Sequence, residues 1–352
     1  MQTPNSITAL LQMAGHPAFC VTDGVITAAN DAALARLVPI GEPVEGLLTA
    51  GKTEYLHFSQ GRLCLSLTVS GTEYDATVRI VDGFHIFTLE SDYADSQLQV
   101  LSLAAQQLRN PLSSMKAMMD HLLPQLDDDA DQLLAYLYRA MDQMQRIIYN
   151  MSDTNRYAST PAKPAMRDVD ALLRELFDGC AVLCGHCGIR LEYTGTNGPL
   201  YALVDQERLE RSIYNILSNA IKHTPTGGTI QAQLTRTGNR MHITVQDSGK
   251  GIDLEGSGDL FARYLREPAL EAPENGLGLG MSLIWACAKS HGGSVLLCSN
   301  DTGLRLTMSL QIRTDTSIAN PGIQFDYAGD QDHGLIELSD VLPPELYKPH
   351  RN

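Results

Sequence analysis

Three changes of pattern along the chain predict an α+β multidomain protein. Residues 6 to 91 alternate short β-rich runs with polar turns around one helical stretch. Residues 93 to 157 switch to two long helical patterns, and residues 165 to 312 alternate helices with strands. The first pattern makes a small α+β unit, the second a helical hairpin, the third an α/β sandwich. The boundaries fall at 1–92, 93–160 and 161–312, followed by a C-terminal tail, 313–352.

In the first unit the strands are AFCV, GVITA, RLCLSLTV, EYDATVRIV and FHIFTLE, with helical NDAALARLV starting at Asn30. The order of strand, turn, strand, helix and three antiparallel strands resembles a PAS sensor domain, carried mainly by HPAFCVTDGVITAANDAAL. No charged pocket ligand is evident, so the pattern names no signal.

The hairpin is read from its repeats. Leu101, Leu108, Met115 and Leu122 recur every seven residues before the acidic break PQLDDDADQ. Leu133, Leu137, Ala140, Met144, Ile147 and Met151 then follow at alternating spacings of four and three. One hairpin buries two such seams poorly, so pairing with a second copy into a dimeric four-helix bundle is expected. Pro111 sits inside the first helix, where it removes a backbone hydrogen bond and favours a kink.

The sandwich is predicted from helices around 168–184, 206–222 and 278–291, and from the strands RLEYT, YALVD, TIQAQLTRT, MHITVQD, SVLLCS and LRLTMSLQI. Its helices should lie on one face of a mixed sheet. Cys180, Cys184, His186 and Cys187 form a C-x3-C-x-H-C pattern compatible with zinc, but no second ligand pair follows at zinc-site spacing. The stretch is read as the end of a core helix. The polar tail with its apolar end, IQFDYAGDQDHGLIELSDVLPPELY, is expected to be a flexible strap or a partner segment.

Composition narrows the function. With 352 residues, 43% apolar and 19% charged, the chain has the balance of a soluble globular protein. Its 41 acidic against 26 basic residues give a net charge of −15, which repels phosphate backbones and anionic lipid. No nucleic-acid partner and no membrane insertion are expected, since no run of 18 apolar residues occurs. The N-terminus has neither a basic start nor a long apolar core, so a cytoplasmic location is expected. Seven cysteines in apolar contexts read as buried, reduced thiols.

Three separated stretches carry candidate chemistry. In ERSIYNILSNAIKHTPTGG, Asn215, Asn219 and Lys222 lie at i, i+4 and i+7 on one helix face, where amide oxygens could meet Mg2+ and an ammonium could meet phosphate. In VQDSGKGID, an apolar strand ends at Asp247, and Gly249 and Gly251 follow. A carboxylate there can accept a hydrogen bond from an adenine amino group, and glycines let backbone approach a ligand. In NGLGLGMSLIWACAKSHGG, Gly276, Gly278 and Gly280 lead into a helix whose first N–H groups favour anions. Each stretch alone has a plain reading as solvated face, turn or loop.

In this order and spacing the three resemble the N, G1 and G2 boxes of the ATP-binding domain of sensor histidine kinases, within the wider family of gyrase, the Hsp90 chaperones and MutL. LFARYLRE, between the last two, resembles the F box, with Phe261 and Tyr264 in its aromatic places. The resemblance implies a Bergerat-type sandwich binding ATP and Mg2+, with Asn219 on the metal, Asp247 on adenine and a mobile lid between about 253 and 275. Where hydrolysing members carry a glutamate base, this chain has Asn215, as histidine kinases do. RNPLSSM and MQRIIYNMSD resemble the two helices of the kinase dimerisation domain, so the similarity runs from about 95 to 312.

One feature of that family is missing. The family's S-H-E-L-R-T-P-L aligns with Ala105, Gln106, Gln107, Leu108, Arg109, Asn110, Pro111 and Leu112, which puts Gln106 at the phosphoacceptor position. An imidazole nitrogen is a competent nucleophile near neutral pH, whereas the lone pair of an amide nitrogen is delocalised. Gln107 replaces the neighbouring acid, which in the family acts as a base toward the histidine. Autokinase chemistry is therefore expected to be lost. His121 lies fifteen residues downstream, about 22 Å along a straight helix, too far to substitute without relocation. Ser102, Ser113 and Ser114 are unactivated hydroxyls near the same turn.

Asn110 lies four residues after Gln106, on the same face, where the family places Asn or Thr to orient water for dephosphorylating a response regulator. The resemblance thus implies a self-paired dimer, or a heterodimer with a related histidine kinase, and a response regulator as partner. Three activities stay open: phosphorylation of a partner in trans, a response-regulator phosphatase using Asn110, and an ATP-gated pseudokinase scaffold.

Overall fold

The computed structural model describes residues 11–12, 14–89, 94–126, 130–252, 279–300, 302–314 and 333–348. The N-terminal unit contains β1 (Ala18–Thr22), β2 (Val25–Ala29), α1 (Asp31–Leu34), β3 (Leu48–Ala50), α2 (Lys52–Leu56), β4 (Arg62–Val69), β5 (Thr72–Val81) and β6 (Phe84–Leu89). The helix starts where the sequence placed it. Asn30 has extended backbone, and its Oδ1 accepts from Ala33 N–H at 2.9 Å and Ala18 N–H at 3.0 Å. β3 and α2 are additional to the expected elements: they lie in LTAGKTEYL, too short for a period to show.

The hairpin is α3 (Ala94–Leu122) and α4 (Asp131–Ser159), and α3 continues through Pro111 without a break in its helical assignment. Next come β7 (Ala165–Asp168), α5 (Val169–His186), β8 (Arg190–Thr194), β9 (Tyr201–Val204), α6 (Gln206–His223), β10 (Thr229–Thr237) and β11 (Arg240–Asp247). They are followed by α7 (Leu279–Ser290), β12 (Ser294–Asn300), β13 (Gly303–Gln311) and, in the tail, α8 (His333–Glu337). Asp168 and Asp205 cap α5 and α6, accepting from Ala171 N–H and Arg208 N–H.

The sandwich sheet is mixed, as expected: β10 pairs parallel with β8, while the β10–β11, β11–β13 and β12–β13 pairs are antiparallel. β9 leaves this sheet to pair with β7, a short strand absent from the sequence reading. The sheets of the two units are continuous. β4 pairs antiparallel with β12 through Val295–Cys64, Leu296–Leu63 and Leu297–Arg62, giving the order β2-β1-β6-β5-β4-β12-β13-β11-β10-β8. Glu54 reinforces this seam, facing Arg240 at 3.2 Å and His242 at 3.6 Å and accepting from Ser309 Oγ. Burial pushes its carboxyl up, but those partners outweigh burial and hold it below its ordinary value.

One large core joins α5, α6 and α7 to the sandwich strands, and Leu338, Leu342 and Tyr347 of the tail belong to it. The end of the tail is therefore packed, where flexibility was one expectation. Cys180 and Cys184 point into that core rather than toward solvent, and burial pushes the Cys184 thiol up to about 12. The hairpin seam behaves differently. Leu108, Met115, Leu122, Leu133, Leu137, Met144 and Ile147 are exposed in the single chain, while Leu134, Met141, Ile148 and Met151 are buried within it.

Candidate functional site

Asp247 closes β11 and is buried. Its Oδ1 accepts backbone N–H groups from Gly249 at 2.8 Å and Leu304 at 3.2 Å, which fixes the carboxylate at the strand end. The turn that follows needs glycine twice. A Cβ on Gly249 would lie 2.4 Å from His223 O, and Gly251 has φ +68° with a Cβ position 2.3 Å from Asn300 O. Burial, followed by the neighbouring Lys222 charge, pushes the His223 imidazole down, with Asp247 opposing.

The α6 face reads in three steps. Asn215 is buried, its Nδ2 donating to Arg211 O at 2.8 Å, and a Cβ on Gly280 would lie 2.9 Å from its Oδ1. Asn215 therefore packs α6 against α7, and Gly280 is the small residue that allows the approach. One turn on, Asn219 is partly buried and makes no side-chain hydrogen bond among the described residues. Lys222 is exposed at the end of the same face. Of the two asparagines, Asn219 is the one whose amide is not taken up by packing between α6 and α7. Phe261, Tyr264, Gly276 and Gly278, with the expected lid, lie outside the described residues.

On α3, Gln106, Gln107 and Asn110 are all exposed, and Ala105 beside them is fully buried. Pro111 cannot donate to the Gln107 carbonyl, so the turn bearing the glutamines lacks one helical hydrogen bond. Ser113 Oγ donates to Arg109 O at 3.0 Å and Ser114 Oγ to Asn110 O at 3.1 Å, so both hydroxyls are engaged by their own helix. His121 is exposed in the last turn of α3. Leu279, first residue of α7, joins the buried cluster of Ala105, Leu112, Met141, Ile148 and Met151, tying the start of α7 to the hairpin.

Two features of the site were not found from sequence. Leu304 N–H braces Asp247, and a Cβ on Gly303 would lie 1.9 Å from Asp247 O; the only local signal is the turn sequence DTG between two strands. Arg211, on α6, is 1% exposed and contacts Asp153 at 2.6 Å, Glu337 at 2.7 Å and Asn150 at 3.0 Å, with Tyr149 against its guanidinium. The Tyr149 ring also faces Arg109 of α3, at 5.8 Å from its guanidinium carbon. An arginine one turn before Asn215 carries no sequence mark of that role.

Comparison with known proteins agrees with this arrangement. The family "His Kinase A (phospho-acceptor) domain" matches residues 96–159, and "Histidine kinase-, DNA gyrase B-, and HSP90-like ATPase" matches 204–314. The bacteriophytochrome of Pseudomonas aeruginosa is 26% identical over 219 residues, spanning 61% of this chain and 30% of the relative. The sensor-like histidine kinase SenX3 of Mycobacterium tuberculosis is 27% identical over 234 residues, spanning 63% and 56%. The crystal structure of full-length ShkA in complex with AMPPNP matches with a TM-score of 0.52 at 19% identity, covering 64% of this chain and 47% of that one, a likeness of fold. The chain thus spans about half or less of each relative's length. A phospho-acceptor-type hairpin is thus followed by an ATPase-type domain, and across both the chain is similar to sensor histidine kinases.

Proposed function

We propose that the protein binds ATP with Mg2+ and works in two-component signalling without phosphorylating its own hairpin. The observation that carries this reading is the contrast between two places. The strand-end carboxylate Asp247 is held by backbone donors and the Asn219 amide makes no side-chain hydrogen bond among the described residues, whereas Gln106, which the resemblance puts at the phosphoacceptor position, is an exposed amide with Gln107 beside it. Asp247 accepts a hydrogen bond from the adenine amino group, Asn219 offers its oxygen to the metal, and Lys222 offers charge to phosphate. Asn215 holds α6 and α7 together behind them. When bound, the nucleotide supplies the transferable phosphoryl group.

The acceptor is then a histidine on a partner kinase, reached in trans. The exposed apolar stripe of α3 and α4 supports pairing through the hairpin, with a second copy or with a related histidine kinase. Asn110, exposed four residues after Gln106, supports a second reading, dephosphorylation of a response regulator. The N-terminal unit is assigned as the PAS-like sensor.

The test is label uptake from γ-labelled ATP by the purified protein beside Gln106→His, with ATP affinity measured in the same preparation. The expected result is nucleotide binding by both, no label on the native protein and label on the variant. Label on the native protein would overturn the reading, and absence of ATP binding would remove its basis.

A further inference from the structure

The strongest feature outside the nucleotide site is the seat of residues 333–348. These residues lie between α4 of the hairpin and α5 and α6 of the sandwich, and both sides hold them with directed contacts. From the hairpin, Arg139 donates to the Ser339 and Asp340 carbonyls at 3.0 and 3.1 Å, Gln143 donates to Ser339 O at 3.1 Å, and Arg146 pairs with the Asp340 carboxylate. From the sandwich, Arg211 of α6 pairs with Glu337, which is fully buried, and Cys187 Sγ approaches Val341 O at 3.6 Å.

The segment is also closed on itself. Tyr347 Oη donates to Leu335 O at 2.7 Å and Ser339 Oγ to Ile336 O at 2.7 Å, while Leu338 and Leu342 are buried in the core that includes Ala135 of α4. A peptide segment with directed polar contacts on both sides and buried apolar side chains behaves as a wedge that bonds to two bodies at once. We infer that residues 333–348 are an intramolecular strap that fixes the ATP-binding sandwich to the hairpin in one pose, and that releasing it lets the sandwich move along the hairpin.

The consequence follows from reach. Phosphoryl transfer needs reacting atoms within about 3–3.5 Å, so a sandwich held in one pose serves only an acceptor present in that pose. In the proposed function, on which this last step rests, the strap decides when the nucleotide meets a partner's acceptor.

The experiment reads geometry, not activity. Azidophenylalanine is placed at Gln132, exposed at the hairpin tip, and at Val182, exposed on α5, and the full chain is click-labelled with a donor and acceptor dye. Labelled protein is diluted into an excess of unlabelled copies so that only transfer within one chain is read. The native chain should give one narrow transfer-efficiency population. Glu337→Ala with Asp340→Ala should broaden it or add a second. Arg139→Ala with Gln143→Ala removes only half-exposed contacts at the hairpin side, so it should do the same without opening the core. A single narrow population unchanged in both double variants would overturn the strap. Because no nucleotide is present, failure of ATP binding leaves this result readable.

Discussion

Replacing Arg211 by methionine isolates the buried charge that joins three elements. Of its two acidic partners, Asp153 keeps Arg156 at 2.9 Å, but Glu337 is fully buried, with Oε1 on Arg211 and Oε2 without a hydrogen-bond partner among the described residues. The substitution therefore strands one carboxylate rather than two. Removing one partner of a buried ion pair costs about 3–5 kcal/mol. At roughly 2–4 °C per kcal/mol for a unit of this size, the transition containing the sandwich should fall by about 6–20 °C. Arg211→Met with Glu337→Leu replaces the pair by apolar groups of similar bulk and should recover most of the loss, since such replacements are often neutral. Differential scanning calorimetry of the two singles and the double gives the coupling directly. A cost below about 1 kcal/mol for Arg211→Met, or a double variant as unstable as the single, would refute the reasoning.

Two further predictions concern pH and assembly. His291 is buried, its Nδ1–H donating to Cys287 O at 2.8 Å and its Nε2 accepting from Asp205 N–H at 2.9 Å, an arrangement that only neutral imidazole satisfies. Burial pushes its pKa down, with Arg208 and Arg313 adding to it and the Cys287 carbonyl and Asp205 opposing. Below about pH 6.5 the unfolded chain thus binds the proton first, so this stability is complete above that value and lost as pH falls through it. Urea midpoints at about pH 7.5 and 5.5 should separate less in His291→Gln than in the native protein, and equal separations would contradict the assignment. Leu137→Glu with Ile147→Glu charges the exposed stripe and should convert a dimer to monomer by sedimentation while changing chain stability by no more than about 0.5 kcal/mol each; an undisturbed dimer would place the interface elsewhere.

What the sequence determined is whatever short-range rules can express. Asn30 announced a helix start because a cap needs only a side-chain oxygen and the next three residues, the same local device that Asp168 and Asp205 use in the structure. The β10 and β11 runs alternate, and the hairpin repeats by sevens, so both were legible as periods. Gly249, Gly251 and Asp247 stood out because a strand-end carboxylate followed by glycines is a local pattern. The reading that puts Gln106 at the phosphoacceptor position rests on the sequence pattern and needed no coordinates.

Tertiary structure decided everything that joins distant segments. It set β4 against β12, so that two units read as separate share one sheet, a pairing made by edge strands whose sequences carry no partner code. It sorted two asparagines four residues apart, burying Asn215 against Gly280 and leaving Asn219 open, a division fixed by the approach of α7 and not by residue type. It also gave Arg211 partners 58 residues before it and 126 residues after it, and so turned a polar tail into the segment that holds hairpin and sandwich together. Contacts of that separation are set by where whole elements pack, and no window of sequence contains both ends.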